Sequence, residues 1–237
     1  MDITQLILDD HHEQRRRFAL LEQIDSANVT ALADVWARLA VFLEVHAAAE
    51  EEIFYPELVR LAIAPRPLAS AEPETLDAIY DHNEIRDTIA AVRPHRVGSP
   101  RWRDAVAAVN RANGDHMAEE EREGLTDFRR RVSLAERHDL AVRFATFEAR
   151  NFAGVRPVDK DPQEYVQQQE AAARAGMSAG LLLSGSVGTD GSVGTDGSVG
   201  TDGSVGTTDG SAGADGSAGT DGADASRDSL GIGGLKR

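Results

Sequence analysis

Apolar residues recur every three or four positions through the first 150 residues of the chain, which is the spacing of helices with one buried face. The pattern predicts five helices, over residues 3–25, about 31–61, 73–93, from 99 onward and 133 to about 150. Capping signals support three of these starts, with Asp2 three residues before Gln5, Ser99 before Pro100 and Ser133 three residues before Glu136. A sixth, shorter helix is predicted from Asp161, and no strand pattern appears.

Four long helices joined by short connections are typical of an up-down-up-down four-helix bundle, so the predicted fold class is all-α. The later helices are expected to pack on the outside of the bundle or to mediate association. Residues 134–177 are the candidate surface for pairing two bundles into a homodimer.

The composition changes abruptly at Ser184. Of 22 glycines, 16 lie between Gly185 and Gly234, and the repeat Gly-Ser-Val-Gly-Thr-Asp recurs over residues 185–207. Such sequence lacks the large apolar groups that a core needs and predicts a disordered, soluble linker. The predicted divisions are a bundle over 1–152, a helical extension over 153–183, a Gly-rich linker over 184–227 and a terminal peptide over 228–237.

Charge and residue usage argue against several classes of protein. A net charge of −15 argues against a general nucleic-acid binder, and the absence of cysteine excludes disulfides and thiolate metal sites. The N-terminus has no secretory leader, and the longest purely aliphatic stretch, residues 181–183, is too short to cross a bilayer. The expectation is a cytoplasmic protein that does not act on membranes.

The informative residues are polar side chains on the apolar helix faces. Each of the four bundle helices places a histidine where a core usually has an aliphatic residue, namely His11, His46, His82 and His116. Glu50 and Glu120 follow two of these histidines by four positions, so each pair shares one face of its helix.

Buried imidazoles and carboxylates are costly unless they are paired or bound to a metal. At about 1.5 Å per residue, His11 lies roughly 21 Å before the end of its helix and His46 roughly 22 Å after the start of the next, so antiparallel packing brings them level. Six such side chains in one core predict a dinuclear site for a borderline metal, with iron the best fit.

The simpler interpretation treats these residues one at a time. A single core histidine is more often hydrogen-bonded than metal-bound, and a histidine four residues before a glutamate can form a surface pair. The same feature on four helices argues against coincidence. His12 points toward the polar face and is the weaker candidate, while His95 and His138 are assigned no role.

The motifs also resemble those of a known family. Their order is Asp10-His11 before Phe18, then His46-Ala-Ala-Ala-Glu50-Glu51-Glu52-Ile53-Phe54-Tyr55-Pro56, then Asp81-His82, then His116-Met-Ala-Glu119-Glu120. Over about residues 1–150 this order and spacing is similar to the hemerythrin-like (HHE cation-binding) family. The resemblance implies two Fe ions in a non-haem centre, bridged by Glu50 and Glu120 and bound by the four histidines. Relatives bind O₂, handle peroxide or nitric oxide, or sense iron and oxygen.

One position departs from the family pattern. Oxygen carriers of the family have a second histidine four residues after the one on the third helix, and here that residue is Arg86. Six ligands in place of seven imply an additional exchangeable position on one iron. The resulting hypothesis is that the site turns over oxidants such as peroxide more readily than it stores O₂, with binding still favoured over a dedicated enzymatic function. Glu84 and Glu121 are alternative sources of the missing ligand.

The last ten residues, Asp228-Ser229-Leu230-Gly231-Ile232-Gly233-Gly234-Leu235-Lys236-Arg237, resemble the peptide that loads cargo into encapsulin nanocompartments. The resemblance implies an encapsulin shell protein as partner. The docking residues would be Leu230, Gly231, Ile232, Gly233, Leu235 and Lys236. A frayed tail with incidental leucines is the simpler alternative. A linker of about 45 residues has a root-mean-square reach of about 35–40 Å, enough to hold the bundle well inside a shell.

Three functions compete at this point. The leading one is a di-iron cargo protein that binds or consumes O₂, peroxide or NO inside an encapsulin shell and so protects against oxidative and nitrosative stress. The alternative is a ferroxidase that oxidises Fe²⁺ for storage in the shell. A sensor of iron is less favoured, because no output domain follows the bundle.

Overall fold

The computed structural model of the protein describes the backbone of residues 1–185 and the side chains of residues 1–178. The terminal peptide and nearly all of the predicted linker lie outside these residues, so the predictions made for them are unchanged.

Helices account for most of the described chain, and no strand occurs in residues 1–185, which confirms the all-α prediction. The elements are α1 (Ile3–Gln23), α2 (Val29–Ala49), a π-helical segment (Glu50–Phe54), α3 (Tyr55–Ala62), α4 (Ala71–Val92), α5 (Pro100–Arg122), α6 (Gly124–Arg131), α7 (Leu134–Arg150) and α8 (Pro162–Gly185). Three details differ from the sequence prediction. The apolar pattern does not separate the short helix α6 from α5, and it treats α2, the π-helical segment and α3 as one helix. Helix α8, with 24 residues, is longer than the pattern predicts.

Local signals in the sequence explain where several helices begin. The Ser99 side chain accepts a hydrogen bond from the backbone N–H of Trp102, and Pro100 then occupies the first turn, where its missing N–H costs nothing. At the start of α7, Ser133 and Glu136 form both hydrogen bonds of a capping box. The predicted caps at Ser99 and Ser133 are confirmed. Asp2 caps α1 by accepting from the N–H of Thr4 at 3.0 Å, but Gln5 donates to Oδ1 of Asp9 instead of completing a capping box.

The second predicted helix is continuous in space but changes its hydrogen bonding in the middle. The backbone N–H of Tyr55 donates to the carbonyl of Glu50, five residues earlier, in place of the usual four. Pro56 follows at once and has no N–H to donate to an α-helical partner, so it offers a local reason for the disruption. The wider turn leaves Glu50, Glu51 and Tyr55 all buried.

The core consists of two apolar clusters with a polar layer between them. Along α1, Ile3 and Ile7 belong to one cluster and Phe18 and Leu21 to the other, while His11 lies between the two groups. The other three bundle helices repeat this order, since apolar residues precede and follow each buried histidine. The fold therefore sets the four histidines at one level of the bundle.

The last two helices pack on the outside of the bundle. Helix α7 lies against α1 and α2, and α8 lies against α3 and α4 through the buried residues Tyr165 and Val166. No helix within residues 1–185 is long and apolar enough to span a membrane.

Candidate metal centre

The six predicted ligand residues converge in the polar layer. His11, His46, Glu50, His82, His116 and Glu120 are each 7 % exposed or less, although they come from α1, α2, the π-helical segment, α4 and α5. Their assignment as metal ligands stays a prediction, but the fold does place the side chains together.

A first group of donors forms around one oxygen of Glu50. Nε2 of His46 lies 3.0 Å from Oε1 of Glu50, and Nε2 of His11 lies 3.9 Å from the same oxygen. Ligand atoms from these three residues all lie within 4.8 Å of one another. This spacing suits three ligands around one cation.

A second group forms around the other oxygen of the same glutamate. Nε2 of His82 lies 3.3 Å from Oε2 of Glu50 and 3.1 Å from Nε2 of His116. These three residues also offer one ligand atom each within 4.8 Å of the others. Glu50 therefore belongs to both groups, as a carboxylate bridging two cations would.

Glu120 also faces the polar layer. Its Oε2 atom is 3.4 Å from Nε2 of His11, and its Oε1 atom accepts a hydrogen bond of 2.9 Å from the Tyr55 hydroxyl. One carboxylate oxygen is thus oriented by Tyr55 and the other faces the histidines.

Several atoms that face the centre lack hydrogen-bond partners within the described part of the chain. They are Nε2 of His11, Nε2 of His46, both oxygens of Glu50 and Oε2 of Glu120. Buried polar atoms without partners are costly, and a pair of bound cations would satisfy them. The residues present therefore fit a pair of metal ions.

Each histidine is held from behind by a carboxylate at its other ring nitrogen, Nδ1. The pairs are His11 with Glu121 at 2.9 Å, His46 with Asp10 at 3.0 Å, His82 with Glu51 at 2.9 Å and His116 with Asp81 at 3.5 Å. Carboxylates in this position fix the ring so that Nε2 faces the metal, and they strengthen the imidazole as a ligand. Four such pairs are the arrangement expected of metal-binding histidines.

The comparison with protein families agrees with this geometry. Residues 2–125 match the model of the hemerythrin HHE cation binding domain, which covers just over half of the chain. The chain belongs to this family. No curated protein and no solved structure shows significant similarity to it. The hemerythrin HHE domain binds metal cations, and the structure has His/Glu groups at the centre of the bundle that are able to hold a metal.

The protonation of the metal-free HHE centre is set by burial and by its own charges. Burial opposes charge on both His46 and Glu50, but their mutual attraction prevails, raising the pKa of His46 and lowering the pKa of Glu50. Burial and the neighbouring charge of Glu50 raise the pKa of Glu120 well above its usual value. Protons on His46 and Glu120 thus occupy places that cations would take.

The alternative ligands considered from the sequence lie elsewhere. Glu84 is exposed, and Glu121 contacts Nδ1 of His11 and the guanidinium of Arg15 on the outer side of the ring. His12 is exposed, in keeping with its predicted place on the polar face. Arg86, which replaces a family histidine, contacts Glu51 and donates to Oδ1 of Asn83 at 3.0 Å.

Sequence reasoning missed the residues behind the histidines. Asp10 and Asp81 each precede a predicted ligand directly, which was the available signal, yet each contacts the histidine of the next helix. Nothing in the sequence marked Tyr55 as part of the site except its position in the family-like motif that follows Glu50. Lys160, far along the chain, contacts Glu51 and carried no signal at all.

Proposed function

We propose that the protein is a non-haem di-iron member of the hemerythrin HHE family that binds O₂ or reacts with peroxide or NO. We propose further that it is cargo of an encapsulin nanocompartment in the cytoplasm and protects against oxidative and nitrosative stress. The observation that carries the metal proposal is the position of Glu50, whose two oxygens face two separate pairs of histidines.

The chemistry of the donors favours iron. Imidazole with carboxylate suits iron, and thiolates, which would favour other metals, are absent from the sequence. Iron held by these residues would supply electron transfer to small oxidants. The chain itself orients the imidazoles. The ring of Phe144 covers His46, with 5.9 Å between the two ring centres. The Tyr55 hydroxyl keeps its proton beside Oε1 of Glu120. Burial, followed by the charges of Glu120 and Glu50, raises the pKa of Tyr55, which keeps that proton in place.

The ligand count supports reaction with oxidants. Arg86 is held by Glu51 and Asn83 and so supplies no seventh ligand. One iron would then keep an exchangeable position. On this basis peroxide consumption is favoured over stable O₂ storage.

Metal analysis together with an optical spectrum of the aerobically purified protein tests the proposal. About two iron atoms per chain with absorption typical of a non-haem di-iron centre are expected, as well as loss of peroxide from solution. A reduced protein that takes up O₂, releases it on degassing and leaves peroxide untouched would contradict the turnover hypothesis. Absence of iron would contradict the function as a whole.

The cargo proposal is supported by the sequence of the tail. A Gly-rich linker ends in a peptide whose large aliphatic residues, Leu230, Ile232 and Leu235, are separated by glycines. An extended peptide of this kind can place its apolar side chains in grooves of a partner. The linker is long enough for the bundle to remain inside a shell while the peptide is bound.

A cavity beside the centre favours a second function, the oxidation of Fe²⁺ as a substrate for storage in the shell. The cavity has a volume of about 40 Å³ and reaches His116 and Glu120. Its walls carry the carboxylates of Glu74, Asp77, Asp81, Glu119, Glu120 and Glu123. Such a lining attracts cations and repels anions.

Fe²⁺ oxidation and mineral retention, measured with and without the shell, separate the two functions. A ferroxidase would turn over many Fe²⁺ ions per chain and leave mineral in the shell. Glu74→Gln, which removes one charge from the cavity but no predicted ligand, should then slow the oxidation. Oxidation that stops after about two Fe²⁺ per chain would favour the first function.

A further inference from the structure

Lys160, in the C-terminal extension, lies close to the candidate metal centre. This residue lies between α7 and α8, outside the region that matches the HHE domain. Its ammonium forms an ion pair with Oε2 of Glu51, while Oε1 of the same carboxylate is 2.9 Å from Nδ1 of His82. A single carboxylate therefore connects the extension to a predicted metal ligand.

The backbone on either side of Lys160 is fixed to the bundle. The side-chain amide of Asn83 donates to the Lys160 carbonyl at 2.7 Å and accepts from the Lys160 N–H at 3.1 Å. The Tyr165 hydroxyl donates to the backbone carbonyl of Glu51 at 2.6 Å, and the Lys160 ammonium lies 5.5 Å from the centre of the Tyr165 ring. These contacts hold the lysine in place independently of its ion pair.

Glu51 needs this partner because its side chain is only 2 % exposed. Arg86 contacts one oxygen and Lys160 the other. Both oxygens of a buried charge are thus compensated, as burial requires.

A lysine at this position is unusual for this chain. The chain has two lysines, Lys160 and Lys236, and every other basic side chain among its 25 is arginine. A lysine places a compact charge on Oε2 of Glu51 and leaves Oε1 to His82 and Arg86. Of the other outer carboxylates, Glu121 pairs with Arg15, while within residues 1–178 Asp10 and Asp81 have no ion pair with lysine or arginine.

We propose that Lys160 is a positioning residue of the metal centre, which fixes Glu51 so that Nε2 of His82 faces the metal position it shares with Glu50 and His116. The helical extension is then part of the functional site and not only a spacer before the linker. This inference rests on the proposed metal-binding function.

Co²⁺ titration of the full chain, followed by visible ligand-field absorption, tests the proposal. Lys160→Met should weaken one of the two Co²⁺ positions by about tenfold and change its absorption bands, because loss of a partner behind a ligand has effects of this size. Lys160→Arg should restore most of the affinity. Arg156→Met removes an exposed charge from the same connecting segment and should match the wild type.

The outcomes separate this inference from the proposed function. Two bound Co²⁺ with unchanged affinity and spectrum in Lys160→Met would overturn the role of Lys160 alone. Equal losses in Lys160→Met and Lys160→Arg, or in Arg156→Met, would also overturn it, since charge at this position would not be the cause. A wild-type chain that binds no Co²⁺ would overturn both proposals.

A labelling experiment on the wild type covers the case in which Lys160→Met does not fold. With acetic anhydride and mass spectrometry, Lys160 should react about tenfold more slowly than the lysine of an added free peptide, because its ion pair with Glu51 holds the ammonium. Glu51→Gln should remove most of this protection. Equal reactivity in the wild type would contradict the proposed contact.

Discussion

Asp10 lies directly before His11 in the sequence, yet its carboxylate is 3.0 Å from Nδ1 of His46 on the neighbouring helix. The same shift recurs around the bundle. Asp10 on α1 contacts His46 on α2, and Glu51, just after α2, contacts His82 on α4. Asp81 on α4 contacts His116 on α5, and Glu121 on α5 contacts His11 on α1. Each helix thus orients the predicted ligand histidine of the next, and the four contacts form a closed circuit.

This circuit predicts that metal affinity depends on residues that touch no metal. Asp10→Asn replaces the charged acceptor of His46 with a neutral amide and should lower the metal affinity by about 10- to 100-fold. Competition with a chelating dye measures the change. Asp9→Asn is the matched control because Asp9 is exposed, and equal losses in the two variants would contradict the role of Asp10.

The helical period made the convergence of the six predicted ligand residues predictable. Four residues separate His46 from Glu50, and an α-helix turns such a pair to one side whatever surrounds it. The apolar residues before and after each histidine fixed its level in the bundle. The outer partners could not be predicted in this way, because a contact such as that of Asp10 with His46 depends on how two helices pack.

Two further features depend on more than periodicity. The π-helical segment after α2 brings Glu51 and Tyr55 into the core together with Glu50, and Pro56 was its one visible sign. The contact of Lys160 with Glu51 joins residues 109 positions apart. No local pattern predicts a contact over that separation.

Because Glu50 belongs to both groups of donors, its replacement should lower the metal content more than replacement of a histidine that belongs to one group. Glu50→Ala removes a donor from both groups and should abolish binding of both metal ions, whereas His116→Ala should leave the group of His11, His46 and Glu50 able to bind one. Metal analysis after gel filtration measures the stoichiometry. Glu52→Ala, at an exposed neighbouring position, should behave as the wild type. Full metal content in Glu50→Ala would show that Glu50 is no ligand.

Metal loading should release protons at neutral pH. His46 and Glu120 both have raised pKa values in the metal-free protein, so each holds a proton that a bound cation displaces. Affinity should therefore fall as the pH is lowered. An indicator dye in weakly buffered solution measures the release, and Glu120→Gln should release about one proton fewer per chain than the wild type. Equal release would mean that Glu120 is ionised before the metal binds.

Removal of the terminal peptide should separate cargo loading from metal binding. A chain without residues 230–237 should keep its metal content but no longer copurify with a coexpressed encapsulin shell protein, because the apolar side chains proposed to dock are gone. Ser229→Ala, outside the predicted docking residues, is the control and should load normally. Unchanged copurification of the shortened chain would reject the docking proposal.

A half-buried carboxyl pair behind His46 predicts a pH-dependent stability. Glu148 on α7 has a carboxylate oxygen within 4.8 Å of one from Asp10, and burial followed by the charge of Asp10 raises the pKa of Glu148 to about 8. The folded state therefore binds this proton more tightly than the unfolded state, so ionisation destabilises the fold as the pH rises from the unfolded pKa near 4.3 to about 8. Glu148→Gln keeps the shape but cannot ionise. Its melting temperature in the metal-free protein should exceed that of the wild type by an amount that grows across this range and then levels off. A difference independent of pH would mean that Glu148 is already ionised in the folded protein.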